Sequence, residues 1–248
     1  MSSTVFIQEQ NVIGAVNIHT QNLTGFVQEP NTQTAVSEAY EAGKQSEYNK
    51  FWDNFQENGN RYSYSYAFYY AGWFDELWKP KYKIYPGIAI SMYEGCSVAD
   101  YDLRNINIDF SRSTNLNRAF REFRGLVATG IINTTKAENI QQLFYLCSNL
   151  KTTSIVVGGK NTSFGSVFYN CTSLENLTVS GTIAINGFNV QYSPNLTHDS
   201  LMSIINCLAD KTTDTSGTTW KVTLGVDNIA KLTEDEIAQA EAKGWMIA

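Results

Sequence analysis

The chain repeats one short phrase at a fixed interval, and this feature constrains its fold more than any other. Residues 143–150 read LFYLCSNL and residues 167–174 read VFYNCTSL, so an aromatic residue, a cysteine and a leucine recur 24 residues later. Self-similarity at a period of about 20 to 50 residues is typical of chains built from stacked supersecondary units. The recurrence therefore predicts a repeated structural unit rather than a catalytic or metal-binding site.

The phrase extends in both directions with small changes in spacing. Phe120 lies 24 residues before the aromatic of the first copy, and Tyr93 and Phe68 continue the series at intervals of 27 and 25 residues. In the other direction the phrase weakens to QYSPNL at 191–196. If the copies stack, equivalent positions form three buried ladders, which comprise Phe120, Phe144 and Phe168, Cys147 and Cys171, and Leu126, Leu150 and Leu174.

Between the phrases, apolar and polar residues alternate. ADYDLRNINIDF follows Val98, KTTSIVVGG follows Leu150, and ENLTVSGTI follows Leu174. Alternation with a period of two is typical of a strand with one buried face. Each unit is therefore predicted to consist of a short helical or 3-10 turn, formed by the phrase, and one strand.

A unit of this length with a single strand is typical of leucine-rich repeats. We therefore predict an α+β repeat solenoid over residues 62–208, with five to six units of about 24 residues. The first and last units of a solenoid expose apolar faces and need caps. Residues 35–61 are predicted to form an aromatic, amphipathic helix as the N-terminal cap. Residues 209–248 are predicted to form a strand-helix-strand C-terminal cap.

The C-terminal cap contains recognisable helix signals. Thr233 and Glu236 have the spacing of a capping box at a helix N-terminus. Gly244 is expected just past the end of that helix, where a left-handed residue is needed. WKVTLG at 220–225 and the final WMIA are predicted strands.

The first 34 residues differ from the rest of the chain. VFIQEQNVIGAVNI and LTGFVQEP are strand-like, rich in Gln and Asn and poor in charge. We interpret residues 1–34 as an attachment segment that contacts other proteins. A flexible tail or an extra strand on the N-terminal cap is the alternative.

The cysteine spacing does not predict a metal site. The four cysteines lie 51, 24 and 36 residues apart, and the chain has two histidines. Structural zinc sites use closely spaced ligand pairs. Stacked units would place Cys147 and Cys171 within reach of a disulfide, but Phe123 and Ser193 fill the same slot, which favours buried thiols.

We predict no catalytic, cofactor-binding or metal-binding residue. His198, Asp199 and Ser200 are consecutive, and consecutive side chains do not face each other as a catalytic triad requires. Thr197 or Asp199 is instead expected to cap the following helix. The chain contains no phosphate-binding loop, zinc-protease or nucleophile-elbow motif. A glycan-acting enzyme with paired carboxylates is the least favoured interpretation.

A tyrosine-rich run at 62–73 is the candidate binding surface. Tyrosine is favoured in binding surfaces because it offers contact area and a hydrogen bond at low entropic cost. Alternatively, these rings seal the first unit of the array. The candidate residues are Tyr62, Tyr64, Tyr66, Tyr69, Tyr70 and Trp73.

Charge and hydropathy exclude several partners. The formal net charge of −6 argues against nucleic-acid binding, although a local basic cluster is formed by Arg112, Arg118, Arg121 and Arg124. The sequence lacks an apolar run of about 18 residues, so no membrane span is predicted. The N-terminus also lacks the pattern of a classical secretory signal.

The pattern [LV]F-x-x-C-[ST]-x-L-x-x-[LI]-x-[VI] at 143–157 and 167–179 resembles BspA-type leucine-rich repeats. The overall layout is similar to that of proteins encoded by phages and prophages of gut Firmicutes. That similarity is carried by SEYNKFWDNFQENGNR at 46–61, WFDELWKPKYKIYP at 73–86 and LTEDEIAQAEAKGWMIA at 232–248. The resemblance implies a repeat array that sits on a virion or a cell surface and binds.

From this resemblance we expect a non-enzymatic binding or structural protein, assembled in the host cytoplasm into a virion as part of a tail or host-contact appendage. Residues 1–34 would attach it to other virion or cell-surface proteins, and a homo-oligomeric ring or trimer would follow from that setting. The ligand would be a host-surface protein or glycan. A bacterial surface adhesin with the same repeat fold is the alternative.

Overall fold

The computed structural model describes residues 83–248, residues 65, 67, 68 and 70, and the backbone of two short strands. Those strands, β1 (Asn17–His19) and β2 (Asn22–Thr24), pair antiparallel within the predicted attachment segment. The predicted cap helix at 35–61 lies outside the described residues.

Four parallel strands form the central sheet in chain order. They are β3 (Tyr101–Leu103), β4 (Leu126–Asn133), β5 (Thr152–Val157) and β6 (Asn176–Gly181). Strands β5 and β6 pair in unbroken register, from Thr152 opposite Asn176 to Val157 opposite Gly181. In β5 every second side chain is buried, namely Thr153, Ile155 and Val157, because successive side chains of a strand point to opposite faces of the sheet.

Strand β3 is shorter than the alternating sequence after Val98 predicts. It ends at Leu103, and the chain next forms a 3-10 helix at Phe110–Arg112. The Asp102 carboxylate accepts the backbone N–H of Arg104 at 2.8 Å and turns the chain there. Ile108 retains one parallel bridge, to Ile84. The local side-chain turn therefore overrides the strand pattern.

The repeated phrase does not form the predicted helical or 3-10 turn. Gln142 and Leu146, two positions before and after Phe144, have φ values of 56° and 60°. Ser166 and Asn170 flank the next ladder aromatic in the same way, at 55° and 57°. Left-handed residues interrupt a right-handed helix, so the phrase forms a series of tight turns.

These turns direct every second backbone N–H towards the next segment. The N–H of Phe144 donates to the carbonyl of Val167 at 2.9 Å, and that of Leu146 donates to Tyr169 at 2.8 Å. The preceding segment repeats the pattern, since the N–H of Phe120 donates to Leu143 at 2.9 Å. The turn edge is thus hydrogen-bonded from segment to segment, as the strand edge is.

The ladder aromatics stack in the core. Each ring is at most 1% exposed, and each contacts its equivalents about one period away. The ring centroids lie 4.8 Å apart for Phe68 and Tyr93, 5.5 Å for Tyr93 and Phe120, 5.2 Å for Phe120 and Phe144, and 5.7 Å for Phe144 and Phe168.

Helix α1 (His198–Asn206) closes the outer edge of β6 with its serine hydroxyls. The Ser200 hydroxyl accepts the N–H of Leu177 at 2.9 Å, and the Ser203 hydroxyl accepts the N–H of Val179 at 3.0 Å. An uncovered strand edge invites pairing with another chain. This edge is therefore protected against strand addition.

The C-terminal part continues with β7 (Trp220–Val222), α2 (Val226–Ile229), α3 (Glu234–Ala242) and β8 (Trp245–Ile247). Strands β7 and β8 pair in parallel. The first predicted strand thus ends at Val222, three residues earlier than expected.

Three predicted helix signals are confirmed. Thr197 caps α1, and its hydroxyl accepts the N–H of Ser200. Thr233 and Glu236 form a complete capping box on α3, and Gly244 follows that helix with a φ of 80°.

Candidate recognition surface on the turn edge

Three tyrosines form a row along the outside of the turn edge. Tyr145 and Tyr169 directly follow the ladder aromatics of their segments, and their rings stack with centroids 4.9 Å apart and planes 10° apart. Tyr192 continues the row 4.6 Å from Tyr169, tilted by 58°. Tyr145 and Tyr169 are half-buried, whereas Tyr192 is 46% exposed. We call Tyr145, Tyr169 and Tyr192 the tyrosine row.

A paired arginine occupies the N-terminal end of the row. The guanidinium of Arg121 lies 5.4 Å from the ring centroid of Tyr145, forms an ion pair with Glu94 and lies 2.5 Å from the Glu122 carboxylate. Partial burial opposes the charge of Arg121, but the hydrogen bond and charge of Glu94 and the charge of Glu122 outweigh it and raise the pKa of Arg121. The cation is therefore compensated within the protein.

The stacking decides which atoms the row offers to a ligand. Arg121 comes from the segment before Tyr145 and Tyr169 from the segment after it, so both ring faces of Tyr145 are in contact with protein groups. Tyr145 and Tyr169 remain partly exposed while their facing ring surfaces are stacked, so contact with a ligand there falls to ring edges and hydroxyls. Tyr192, at the end of the row and tilted, adds exposed ring area.

The structure describes Tyr70 and no other residue of the predicted binding surface. Tyr70 is 41% exposed, and its backbone N–H donates to the carbonyl of Glu94 at 2.7 Å. Its ring covers Gly95, where an added Cβ would lie 2.7 Å from the Tyr70 ring. The remaining members, Tyr62, Tyr64, Tyr66, Tyr69 and Trp73, lie outside the described residues.

Sequence reasoning missed the tyrosine row, although two of its members carried a signal. Both copies of the phrase read Phe-Tyr, so Tyr145 and Tyr169 are repeated as faithfully as Phe144 and Phe168. A tight turn that buries one residue exposes the next, and this geometry separates the ladder from the row. Tyr192 carried no such signal, because the spacing shortens before it.

The cysteine slot is a hydrogen-bond donor position as well as an apolar one. The thiols of Cys147 and Cys171 donate to the carbonyls of Phe120 and Phe144 at 2.9 and 3.0 Å. In the next segment Ser193 takes the slot, and its hydroxyl donates to Phe168 at 3.2 Å. In these three segments the slot holds a small donor that links a segment to the preceding ladder residue, whereas in the segment of Phe120 the buried ring of Phe123 fills it without a donor.

Burial makes these thiols poor nucleophiles. Cys147 and Cys171 are free, fully buried thiols. Burial raises the pKa of Cys147 well above its ordinary value and raises the pKa of Cys171 to about 12. Thiolate is the reactive form of cysteine, so both thiols are unreactive at neutral pH.

Stability should fall as the pH rises from about 9 to about 12, and Cys171 should contribute to the fall. Below this window the thiol is protonated in both states, and its full contribution is present. Within the window the unfolded chain releases the proton while the buried thiol keeps it, which favours unfolding. Urea denaturation at increasing pH, with reductant present, should give a shallower decline for Cys171→Ser than for the wild type. Equal slopes would contradict the assigned burial.

The histidine of the consecutive His-Asp-Ser run contacts the C-terminal helix α3. His198 Nε2 lies 2.8 Å from Glu236 Oε1, so it connects the N-terminus of α1 with the capping box of α3. The Ser200 hydroxyl is bonded to β6 and to Thr197. These three neighbours therefore form no triad among the described residues.

Three of the four arginines of the basic cluster, including Arg121 described above, make contacts within the protein. Arg112 lies 4.3 Å from the ring centroid of Tyr85, and Arg118 donates to the side chain of Gln142 at 3.0 Å.

Within the described part of the chain, no helix is long and apolar enough to span a membrane. No group of His, Cys, Asp or Glu in that part could hold a metal ion.

A small cavity lies beside the irregular strand β4. The register of β4 against β5 shifts between Ala128 and Ile131, and Ile131 is 68% exposed. The cavity, lined by Ile131, Tyr93 and Phe120 among others, has a volume of about 90 Å³. Typical ligand pockets measure about 300 Å³ or more, so this cavity is too small for a small-molecule substrate.

No family model, curated protein or solved structure matches this chain. Function is therefore argued from the surface that the segments present.

Proposed function

We propose that this chain is a non-enzymatic recognition protein with a leucine-rich-repeat solenoid, carried on a phage or prophage virion as part of a tail or host-contact appendage. The tyrosine row carries the proposal. Its rings lie outside the core, so their regular placement serves contact with a partner rather than burial within the chain. The virion setting rests on the resemblance of the sequence to phage-encoded repeat proteins.

The segment-to-segment hydrogen bonds support a recognition role. Tyr145 and Tyr169 stand on turns whose backbone groups bond to the neighbouring segments. A rigid support reduces the conformational entropy that a binding surface loses when it meets a partner. Rigid tyrosines are also a common feature of binding surfaces.

Replacing Tyr192 with alanine should lower the binding of the purified, labelled protein to intact cells of gut Firmicutes without changing thermal stability. The exposed ring contributes to contact and little to the core. Flow cytometry measures cell binding, and a thermal melt measures stability. Tyr85→Ala is the matched control, because Tyr85 is a partly buried tyrosine that lies against Arg112 rather than in the row. Unchanged cell binding by Tyr192→Ala would contradict the recognition role of the row.

The virion setting has its own test. Particles induced from the producing strain and purified by density gradient should contain this polypeptide, as identified by mass spectrometry. Its absence from particles, combined with its presence on the bacterial surface, would replace the virion setting with the adhesin alternative. The recognition role of the tyrosine row would stand in either setting.

A further inference from the structure

We propose that the tyrosine row binds a neutral glycan chain that lies along the axis on which the segments stack. The proposal rests on the recognition role proposed above and specifies its ligand. It is carried by the electrical neutrality of the row, by its linear geometry and by the different orientation of its last ring.

The tyrosines of the row and their sequence neighbours carry no charge. No residue within two positions of Tyr145, Tyr169 or Tyr192 is charged. Two described cations lie near the row, and both are engaged within the protein. Arg121, over Tyr145, is paired with Glu94 and Glu122, and the ammonium of Lys231 donates to the carbonyls of Pro194 and Leu196 and to the side chain of Asn228. A strongly acidic or basic ligand would gain no complementary charge here and would lose hydration on binding. A neutral ligand with many hydroxyl groups has neither disadvantage.

The orientation of the rings divides the row into two kinds of contact. The tilted, exposed ring of Tyr192 can stack against the apolar C–H face of a sugar, as aromatic rings do with other flat apolar groups. Tyr169 and Tyr145 present hydroxyls, each of which can donate one hydrogen bond and accept others. Gln191, beside the stacking ring and exposed, adds amide groups.

The length of the row indicates a chain rather than a single sugar. The three rings belong to consecutive segments, and the two steps between ring centroids are 4.9 and 4.6 Å. A monosaccharide stacked on Tyr192 would not reach beyond the adjacent hydroxyl. A linear oligosaccharide would contact all three positions, so affinity should increase with chain length until the row is covered.

A printed array of short linear oligosaccharides, neutral and acidic and of increasing length, tests the proposal with the full-length protein. We expect binding to neutral members, with a signal that rises with chain length. Tyr192→Ala should weaken that binding by about tenfold, and Tyr192→Phe should retain most of it because the stacking ring remains. Tyr169→Phe, which removes a hydroxyl and keeps the ring, should weaken binding by about threefold. Tyr85→Ala should bind as the wild type does.

Three results would overturn the proposal: no binding to any neutral member, binding to acidic members alone, or neutral binding that Tyr192→Ala leaves unchanged. Thermal melts of each variant separate loss of the surface from loss of the fold. Cell binding separates this proposal from the proposed function. If cells capture the wild type and not Tyr192→Ala while no array member binds, the glycan proposal fails and the recognition role stands, with a surface protein as the partner.

Discussion

Replacing Phe144 with alanine is expected to lower the free energy of unfolding by about 3–5 kcal/mol, the range found for buried aromatic truncations. The Phe144 ring is fully buried and stacks between Phe120 and Phe168, at 5.2 and 5.7 Å between centroids. Its removal leaves a cavity that the neighbouring rings cannot fill, because each is held by its own turn. Urea denaturation monitored by circular dichroism measures the loss.

Tyr145→Ala provides a control at the next residue. It removes a ring of similar size that is half-buried and stacks on the ring of Tyr169. We expect a loss of about 1 kcal/mol or less. Comparable losses for Phe144→Ala and Tyr145→Ala would contradict the separation of a buried ladder from an exposed row.

Replacing Gly125 with alanine is expected to destabilise the protein by about 3 kcal/mol or more, at the upper end of overpacking effects. An added Cβ would lie 1.5 Å from the carbonyl oxygen of Val98 in the preceding segment. The clash is with backbone, which cannot rotate away as a flexible side chain can. The position is also fixed from the other side, because the Gly125 carbonyl accepts the N–H of Tyr101 at 2.7 Å.

Gly159→Ala is the matched control for this effect. A Cβ at Gly159 would meet no heavy atom within 4 Å, so we expect a change within about 0.5 kcal/mol. Denaturation of both variants under the same conditions isolates the contact between segments from the general effect of losing a glycine. Unchanged stability of Gly125→Ala would contradict the close approach of Gly125 to the backbone of Val98.

The spacing of the buried aromatics and the apolar alternation were readable from sequence because neighbouring parallel segments place equivalent positions in similar surroundings. The series of ring contacts from Phe68 to Phe168 follows the spacing seen in the sequence. The turn geometry was not readable. Gln142 and Leu146 are good helix formers, yet both adopt left-handed conformations, since their N–H groups bond to the next segment. Tertiary hydrogen bonding overrode local propensity.

The candidate site was harder to predict than the fold. The tyrosines of the run at 62–73 are close together in sequence, so the run is easily recognised as a candidate binding surface. The members of the tyrosine row lie more than 20 residues apart in sequence. A surface built across successive segments is visible only when equivalent positions are aligned. The serines of α1 that close β6 were hidden for a different reason, because their role depends on a helix replacing a strand at the sheet edge.

Disulfide trapping tests the stacked register, on which both the ladder and the tyrosine row depend. Ser154 of β5 lies opposite Thr178 of β6, and Ser180 lies two residues further along. Directly opposite residues on neighbouring strands are about 4.8 Å apart, which is within the roughly 7 Å limit for a disulfide. A shift of two residues adds about 6.6 Å along the strand, so the second pair is about 8 Å apart on the diagonal and beyond that limit. Under mild oxidation, Ser154→Cys with Thr178→Cys should cross-link, as seen by non-reducing mass spectrometry, and Ser154→Cys with Ser180→Cys should not. Preferential cross-linking of the second pair, or of neither, would contradict the stack.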